Sequence, residues 1–238
     1  MFDRRTHFSY RAQKKQRYKI LIFIVCFIII YIIYNCLTAF FFSVWVVDNS
    51  TMQPGLNQGD RIIFNSFKPP SFGNDDNQFP FKRGSIVLVD MRHEKNLKWP
   101  QLALDGAVRF FTAQRISIFS GRGQYYIKRV IALPGDEISM SNYTFRVKAA
   151  GTSFSLTEYE LSARPYHPAI PKTPDLWDDS LPFSGSMDPI ILGPDECFIV
   201  SDDRSTTNDS RTWGAISPQL IKARAVVRIW PLNKIELF

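Results

Sequence analysis

Hydrophobic positions fall into two regimes along the 238 residues. From Ile20 to Val47 no side chain carries a formal charge, and Ile20 to Ile33 is almost entirely Ile, Leu, Val, Phe and Cys. A bilayer core takes about 20 apolar residues, so this run is long enough to span one. A cleaved secretory signal has an apolar region of only about 7 to 15 residues ending in a small-x-small site. Here Phe40-Phe41-Phe42-Ser43-Val44-Trp45 follows instead. The pattern predicts a transmembrane anchor over 20–42, with Tyr34, Phe40 to Phe42 and Trp45 either at the outer interface as aromatic anchors or in the core of a first strand.

Beyond the anchor the pattern changes to short runs rich in β-branched and aromatic residues, with no amphipathic helical run longer than about 12. Strands are expected over Val44 to Val47, Arg61 to Asn65, Ser85 to Asp90, Tyr125 to Ala132, Thr144 to Lys148, Cys197 to Ser201 and Ala223 to Trp230. Turn signals at Asn57-Gln58-Gly59-Asp60, Lys82-Arg83-Gly84 and Pro134-Gly135-Asp136 separate them. Seven prolines between Pro165 and Pro194 forbid central strands there and point to an edge cap or a long connection. Residues 66–83 combine Pro69-Pro70 with Phe67, Phe72, Phe79 and Phe81, an aromatic-rich loop that either dips into the membrane interface or is buried in the core. The expected class is mainly β: one amino-terminal transmembrane helix, then an antiparallel extracytoplasmic domain over 43–238 with a smaller β-rich cap at about 139–195.

Charge fixes the orientation. The net charge is +7. Residues 1–19 hold seven basic side chains and one acid, leaving the remaining body at only +1. A nucleic-acid surface needs its Lys and Arg spread over the fold, so no nucleic-acid partner is expected. A basic tail before an apolar span stays on the cytoplasmic side, which places the tail 1–19 inside and the body outside the cell membrane. Cys26 and Cys36 lie in the span and Cys197 is alone in the body, so this exported domain must hold together without an internal disulfide.

Few residues are left for chemistry. The histidines are His7, His93 and His167, without the close His, Cys or carboxylate spacing that zinc needs, so neither a metal nor another cofactor is expected. A Ser-His-Asp triad would have to recruit a histidine from polar or Pro-rich surroundings. Lys128 is different. It lies inside the apolar run Tyr125 to Leu133, and strand alternation places it on one face with Tyr126 and Val130. If its ammonium is desolvated there, its pKa falls and the neutral amine takes a proton from a hydroxyl; the alternative is an outward-facing lysine paired with an acid.

Four segments carry a resemblance. The stretch Asp48-Asn49-Ser50-Thr51-Met52-Gln53-Pro54 through Gly59-Asp60, just after the span, is similar to the nucleophile box of type I signal peptidases. Tyr126-Ile127-Lys128-Arg129 followed by Leu133-Pro134-Gly135-Asp136 resembles that family's general-base box, and Arg83-Gly84-Ser85-Ile86-Val87 its Arg-Gly-Asp-Ile-Val strand. Ser201-Asp202-Asp203-Arg204 through Asp209-Ser210-Arg211-Thr212-Trp213-Gly214 resembles its last signature. The resemblance covers about residues 15–238, least convincingly over 92–123 and 150–190.

It implies an endopeptidase that uses a hydroxyl and a lysine: Thr51 as nucleophile and Lys128 as general base. Thr207 falls at the hydroxyl that hydrogen-bonds the base, with Ser205 a neighbour able to substitute. Asp202 and Arg204 fall at positions that shape the site, through a salt bridge with Arg211 or Asp209. Arg129 steadies the fold rather than reacting. Trp45, Val47, Met52, Leu56, Tyr126 and Ile127 fall along an apolar floor for small side chains, with ordinary core as their alternative. The implied substrates are signal peptides of exported preproteins, ending in Ala-x-Ala-like motifs and delivered in the plane of membrane lipid. A catalytically inactive relative that binds signal peptides, and a dedicated pilin or conjugation processing peptidase, are the competing readings.

The chain departs from the family pattern at four places. Threonine stands where serine is the norm, and its extra methyl restricts χ1. Ser50 is the alternative nucleophile, although a shift of one residue on an extended segment turns the side chain to the other face. Asn49 replaces a serine of the oxyanion hole, for which an amide N–H is a competent donor. Ser201 replaces glycine and Asp203 asparagine. Asn49, Asn142 and Asn208 also begin glycosylation sequons.

Overall fold

The computed structural model describes residues 10–40, 42–66, 81–91, 100, 101, 104, 108, 125–162, 164–172 and 185–238. Most of the aromatic-rich stretch 66–83 and of the region 92–123, including His93, lies outside them, as do the side chains of Phe40 to Phe42.

Helix α1 runs from Tyr10 to Phe40. Its segment Lys14–Tyr34 has mean hydropathy 2.2 and buries nothing against the rest of the protein, so it is long and apolar enough to cross a membrane. An apolar helix with no protein partner has its whole circumference left for another apolar medium.

The chain passes directly into a seven-stranded antiparallel sheet. Its strands are β1 (Phe42–Val46), β2 (Arg61–Asn65), β3 (Ile86–Asp90), β4 (Tyr125–Ala132), β9 (Phe198–Val200), β10 (Ile221–Trp230) and β11 (Glu236–Leu237). The order is β1-β2-β10-β3-β4-β9, with β11 on β10. The ten residues of β10 form the spine: β2 pairs along most of its length, while on the other side β3 takes its first residues and β11 pairs at Val227 and Arg228. β3 lies between β10 and β4, and all five of its residues are buried, which is why it reads as an unbroken apolar run. In β2 alternation does the work, with Ile62 and Phe64 fully inward.

A second sheet of four strands, β5 (Glu137–Ser141), β6 (Thr144–Lys148), β7 (Leu156–Thr157) and β8 (Met187–Ile191), has the order β7-β6-β5-β8. β5 and β6 form a hairpin closed by Asn142 and Tyr143, both at positive φ (50° and 60°), as a two-residue primed turn requires. Neither β5 nor β8 was expected from the sequence. β8 carries Pro189 and sits at the sheet edge, where a missing N–H loses no ladder bond, so the proline rule holds even though a strand forms.

Ile131, Ala132, Phe198 and Val200 of the large sheet pack in one cluster with Ile138, Phe145 and Val147 of the small one. The joint also holds charge. Arg204 and Glu158 form an ion pair of 2.5 Å with both side chains inaccessible, Tyr166 donates to Glu158 at 2.5 Å, and the guanidinium lies 4.9 Å from the Phe145 ring centroid. Glu158 opens the short helix α2 (Glu158–Leu161) of the small-sheet region, whereas Arg204 follows β9. The pair therefore fixes the loop after β9 against the small sheet. Burying two charges is costly, but breaking the pair costs more because one charge is left alone. Glu158→Ala is expected to destabilise the fold by about 3–5 kcal/mol. Joint replacement by Glu158→Leu and Arg204→Met should cost far less, as read by thermal or denaturant unfolding of the two proteins.

Candidate active site

Lys128 is completely buried on β4, which settles the choice left open by periodicity: the side chain faces inward. Its Nζ donates to Ser201 Oγ at 2.7 Å and lies 5.8 Å from the ring centroids of both Tyr126 and Trp213. Burial lowers its pKa from 10.5 to about 8, opposed by the nearby charge of Asp209 and reinforced by Arg211. A substantial share of the side chain is therefore a neutral amine in mildly alkaline water.

Thr51 stands on the loop between β1 and β2. Its Oγ1 donates to Asn49 Oδ1 at 2.7 Å, and its backbone N–H donates to the same oxygen at 3.2 Å. The loop is tied down by Met52 and Leu56, both fully buried, and by the Asp203 N–H donating to the Thr51 carbonyl at 3.0 Å. That last bond puts the Thr51 backbone two residues along from Ser201, whose hydroxyl holds Lys128. Close approach continues at Gly55, where a Cβ would lie 3.0 Å from Asp202 Oδ2. Among the described residues the hydroxyl of Thr51 is bonded to Asn49 and the amine of Lys128 to Ser201, not to each other.

Three sequence expectations are corrected here. Ser201, rather than Thr207 or Ser205, is the hydroxyl on Lys128; Ser205 Oγ instead bonds Asp203 at 2.6 Å. Asp202 pairs with Arg129, not with Arg211, through bonds of 2.7 and 2.5 Å. Arg204 pairs with Glu158, not with Asp209, which accepts from Arg211. The reason is alternation. Lys128 and Arg129 point to opposite faces of β4, and Ser201 and Asp202 follow directly from the neighbouring strand β9, where Arg129 is in register with Val200. Ser201 was seen in the sequence as a departure from glycine, and Trp213 was seen only as part of a signature. Their signal was proximity to β4, which sequence spacing does not carry.

The six residues expected along a substrate floor divide. Val47, Met52 and Leu56 are at most 1% exposed and belong to the core with Ile62 and Phe64. Trp45 and Ile127 pack against that cluster half-buried, and the Trp45 ring lies 4.6 Å from Tyr125. Tyr126 is on the other side, against Trp213 with centroids 5.2 Å apart and beside Lys128. Asn49 is exposed and presents its carbonyl oxygen to Thr51. Among the described residues no three His, Cys, Asp or Glu side chains converge as metal ligands.

The model of the signal peptidase family, peptidase S26, matches residues 19–230. The chain belongs to this family. It is 24% identical to signal peptidase I P of Bacillus subtilis subsp. natto over 94% of this chain and 96% of that protein. A probable signal peptidase I-2 of Synechocystis is 29% identical over 80% of this chain and 64% of its own length, and signal peptidase IB of Staphylococcus aureus 20% over 89% and 88%. Membership gives this signal peptidase its activity, removal of signal peptides, on a mainly β scaffold with one apolar amino-terminal helix.

The cost of the buried lysine in this peptidase is measurable. A lysine of pKa about 8 when folded and 10.5 when unfolded costs stability on the order of 3 kcal/mol below pH 8. The unfolded state binds more protons between those values, so the cost is relieved as pH rises through that window. Lys128→Met is therefore expected to raise the melting temperature at pH 7. Its advantage over the parent should shrink towards pH 10.5, a trend that parallel thermal scans across pH would reveal.

Proposed function

We infer that Thr51 is the nucleophile and Lys128 the general base of this signal peptidase, cutting after small-x-small motifs. The observation that carries this reading is the buried Lys128, its pKa lowered to about 8, held by Ser201 beside the loop that bears Thr51. Geometry asks for one motion. Deprotonation by Lys128 requires the Thr51 hydroxyl to leave Asn49 by rotation about χ1, and the threonine methyl leaves few alternative wells.

The Thr51 Oγ–H proton passes to Lys128 Nζ as Oγ bonds to the scissile carbonyl carbon. Collapse of the tetrahedral intermediate breaks the C–N bond, and the Lys128 ammonium returns that proton to the departing amine of the mature protein. The ester on Thr51 is then attacked by water, whose proton goes to Lys128. Ester cleavage releases the signal peptide carboxylate and restores the hydroxyl. Asn49, whose carbonyl oxygen is on Thr51, is the side-chain donor for the oxyanion through its amide N–H. Tyr126 and Trp213, beside Lys128, supply apolar surface for the small residues.

Membrane contact extends past the anchor in this reading. Val44, Ile63, Val227 and Leu237 are in register across four strands, so they share one face of the sheet. Val44 and Leu237 are 58% and 62% exposed, and Val46 and Trp230, both in register with Arg61, enlarge the same apolar surface. A patch of this kind continuous with the first strand after the anchor suits membrane lipid. The basic tail supports a cytoplasmic amino terminus and an extracytoplasmic body.

Cleavage of a precursor ending in Ala-x-Ala tests the dyad. Thr51→Ala and Lys128→Ala are expected to lower kcat on the order of 10³- to 10⁴-fold, while Ser50→Ala leaves it unchanged. Turnover of the parent should rise with pH and level off above about pH 8. Ser201→Ala should lower kcat with KM kept and move that midpoint to lower pH, because a bond to the ammonium is lost. Precursor binding without turnover in the parent would sink the assignment and leave an inactive binder. The membrane face is tested separately: Trp230 fluorescence should be quenched by lipids brominated near the headgroup, and unchanged emission would remove that contact.

A further inference from the structure

Away from Thr51, Lys128 and Ser201, a cavity of about 460 Å³ opens beside Pro54, Gly55 and Ser85. That volume lies within the roughly 300–1,000 Å³ of small-ligand clefts. Its wall is cationic. Lys82, Arg164 and Arg224 line it and form no ion pair among the described residues. Arg83 and Arg129 line it too, each already engaged with an acid: Arg83 with Asp136 at 2.7 and 2.8 Å, and Arg129 with Asp202. The acid on the wall, Glu236, is taken up by Arg228. Three cations with no acid partner among the described residues, around one concavity, raise the local concentration of anions.

Position narrows the class of anion. Glu236 and Phe238 line the cavity, while Leu237 between them is 62% exposed on the apolar face. Arg224 is in register with Asn65, and Asn65 with Phe42, the first strand residue after the anchor helix. Two inter-strand spacings of about 4.8 Å separate Arg224 from the point where the chain leaves that helix. The cavity thus opens at the anchor end of the apolar face and shares β11 with it. A soluble anion would use the charge alone. An amphiphile uses both features, with acyl chains along the apolar face and its headgroup in the cavity.

We propose that this cavity binds the phosphodiester headgroup of an anionic phospholipid through Lys82, Arg164 and Arg224, seating the peptidase on the membrane at a fixed depth. The proposal rests on the membrane reading of the apolar face but not on the catalytic assignment.

The full chain in neutral maltoside micelles is titrated calorimetrically with dihexanoyl phosphatidylglycerol, dihexanoyl phosphatidylcholine and inorganic phosphate. Saturable binding of phosphatidylglycerol is expected, with no comparable binding of phosphatidylcholine and displacement by inorganic phosphate only at much higher concentration. Lys82→Gln with Arg164→Gln and Arg224→Gln should weaken phosphatidylglycerol roughly tenfold or more. These side chains are exposed or half-buried, so folding is kept. A charge-matched set outside the cavity lining, Arg146→Gln, Lys148→Gln and Lys172→Gln, should leave binding intact. Unchanged phosphatidylglycerol affinity in the first triple variant overturns the proposal, as does equal binding of the two lipids. Inorganic phosphate as tight as phosphatidylglycerol overturns the lipid assignment, and so does triple-dependent capture of an acidic peptide without the lipid. Precursor cleavage by the triple variant in phosphatidylcholine vesicles should match the parent. Failure of the Trp230 quenching with triple-dependent lipid binding retained would remove the membrane face and leave the cavity.

Discussion

Two consecutive residues of β4 hold two consecutive residues beyond β9, and the site depends on that double contact. Lys128 reaches Ser201 on one face of the strand, and Arg129 reaches Asp202 on the other. Because β4 and β9 are hydrogen-bonded neighbours, the register that pairs Arg129 with Val200 fixes both contacts at once. A slip of one residue would exchange the faces, placing a guanidinium where the amine belongs. The bidentate Arg129–Asp202 pair makes such a slip costly, since it would strand two buried charges. The ion pair thus sets the geometry, and the lysine beside it stays unpaired and desolvated.

The same loop is held from two further sides. Arg204 anchors it to Glu158 of the small-sheet region, and Arg211 clasps Asp209, whose Oδ2 accepts the Ser201 N–H at 2.9 Å. Arg211 also donates to the carbonyls of Arg204 and Thr206. The Arg129 guanidinium lies 3.9 Å from the centroid of the Tyr166 ring, and Tyr166 in turn donates to Glu158. The small sheet is therefore part of the scaffold of the site: through Glu158 and Tyr166 it braces both arginines that position the segment from Ser201 to Arg204.

How much of this was legible in the sequence follows from how far each signal reaches. β2, β4 and β6 have the boundaries expected, since alternation and turn residues are local. β5 was missed because Glu137-Ile138-Ser139-Met140-Ser141 mixes strand and turn propensities, and only pairing with β6 and β8 makes it a strand. Lys128 was singled out by its apolar context, yet periodicity could not decide its burial; packing against Ser201, Tyr126 and Trp213 does. The ion pairs were misassigned for the same reason. Asp202, Arg204, Asp209 and Arg211 are close in sequence and invite local pairing, whereas two of the four partners come from Arg129 and Glu158, 73 and 46 residues away.

Three of the departures from the family pattern touch: Asn49 accepts from Thr51, and the Asp203 N–H donates to the Thr51 carbonyl. Threonine brings a methyl that restricts χ1, and Asn49, at the other altered position, accepts from both its hydroxyl and its backbone N–H. One rotamer is thereby defined before substrate arrives. Ser201, where glycine is usual, supplies the hydroxyl on Lys128, while Thr207 offers its carbonyl to Thr212. A glycine at 201 could make no such contact, so the side chain that looks out of place from the motif is the one that orients the amine. Substituting the usual glycine at 201 would therefore remove the contact with Lys128, whereas serine at 51 would keep the bond to Asn49 and lose only the methyl. The unusual residues thus make two contacts, Asn49 with Thr51 and Ser201 with Lys128, and each sets the direction of one polar group, the Thr51 hydroxyl in the first and the Lys128 amine in the second.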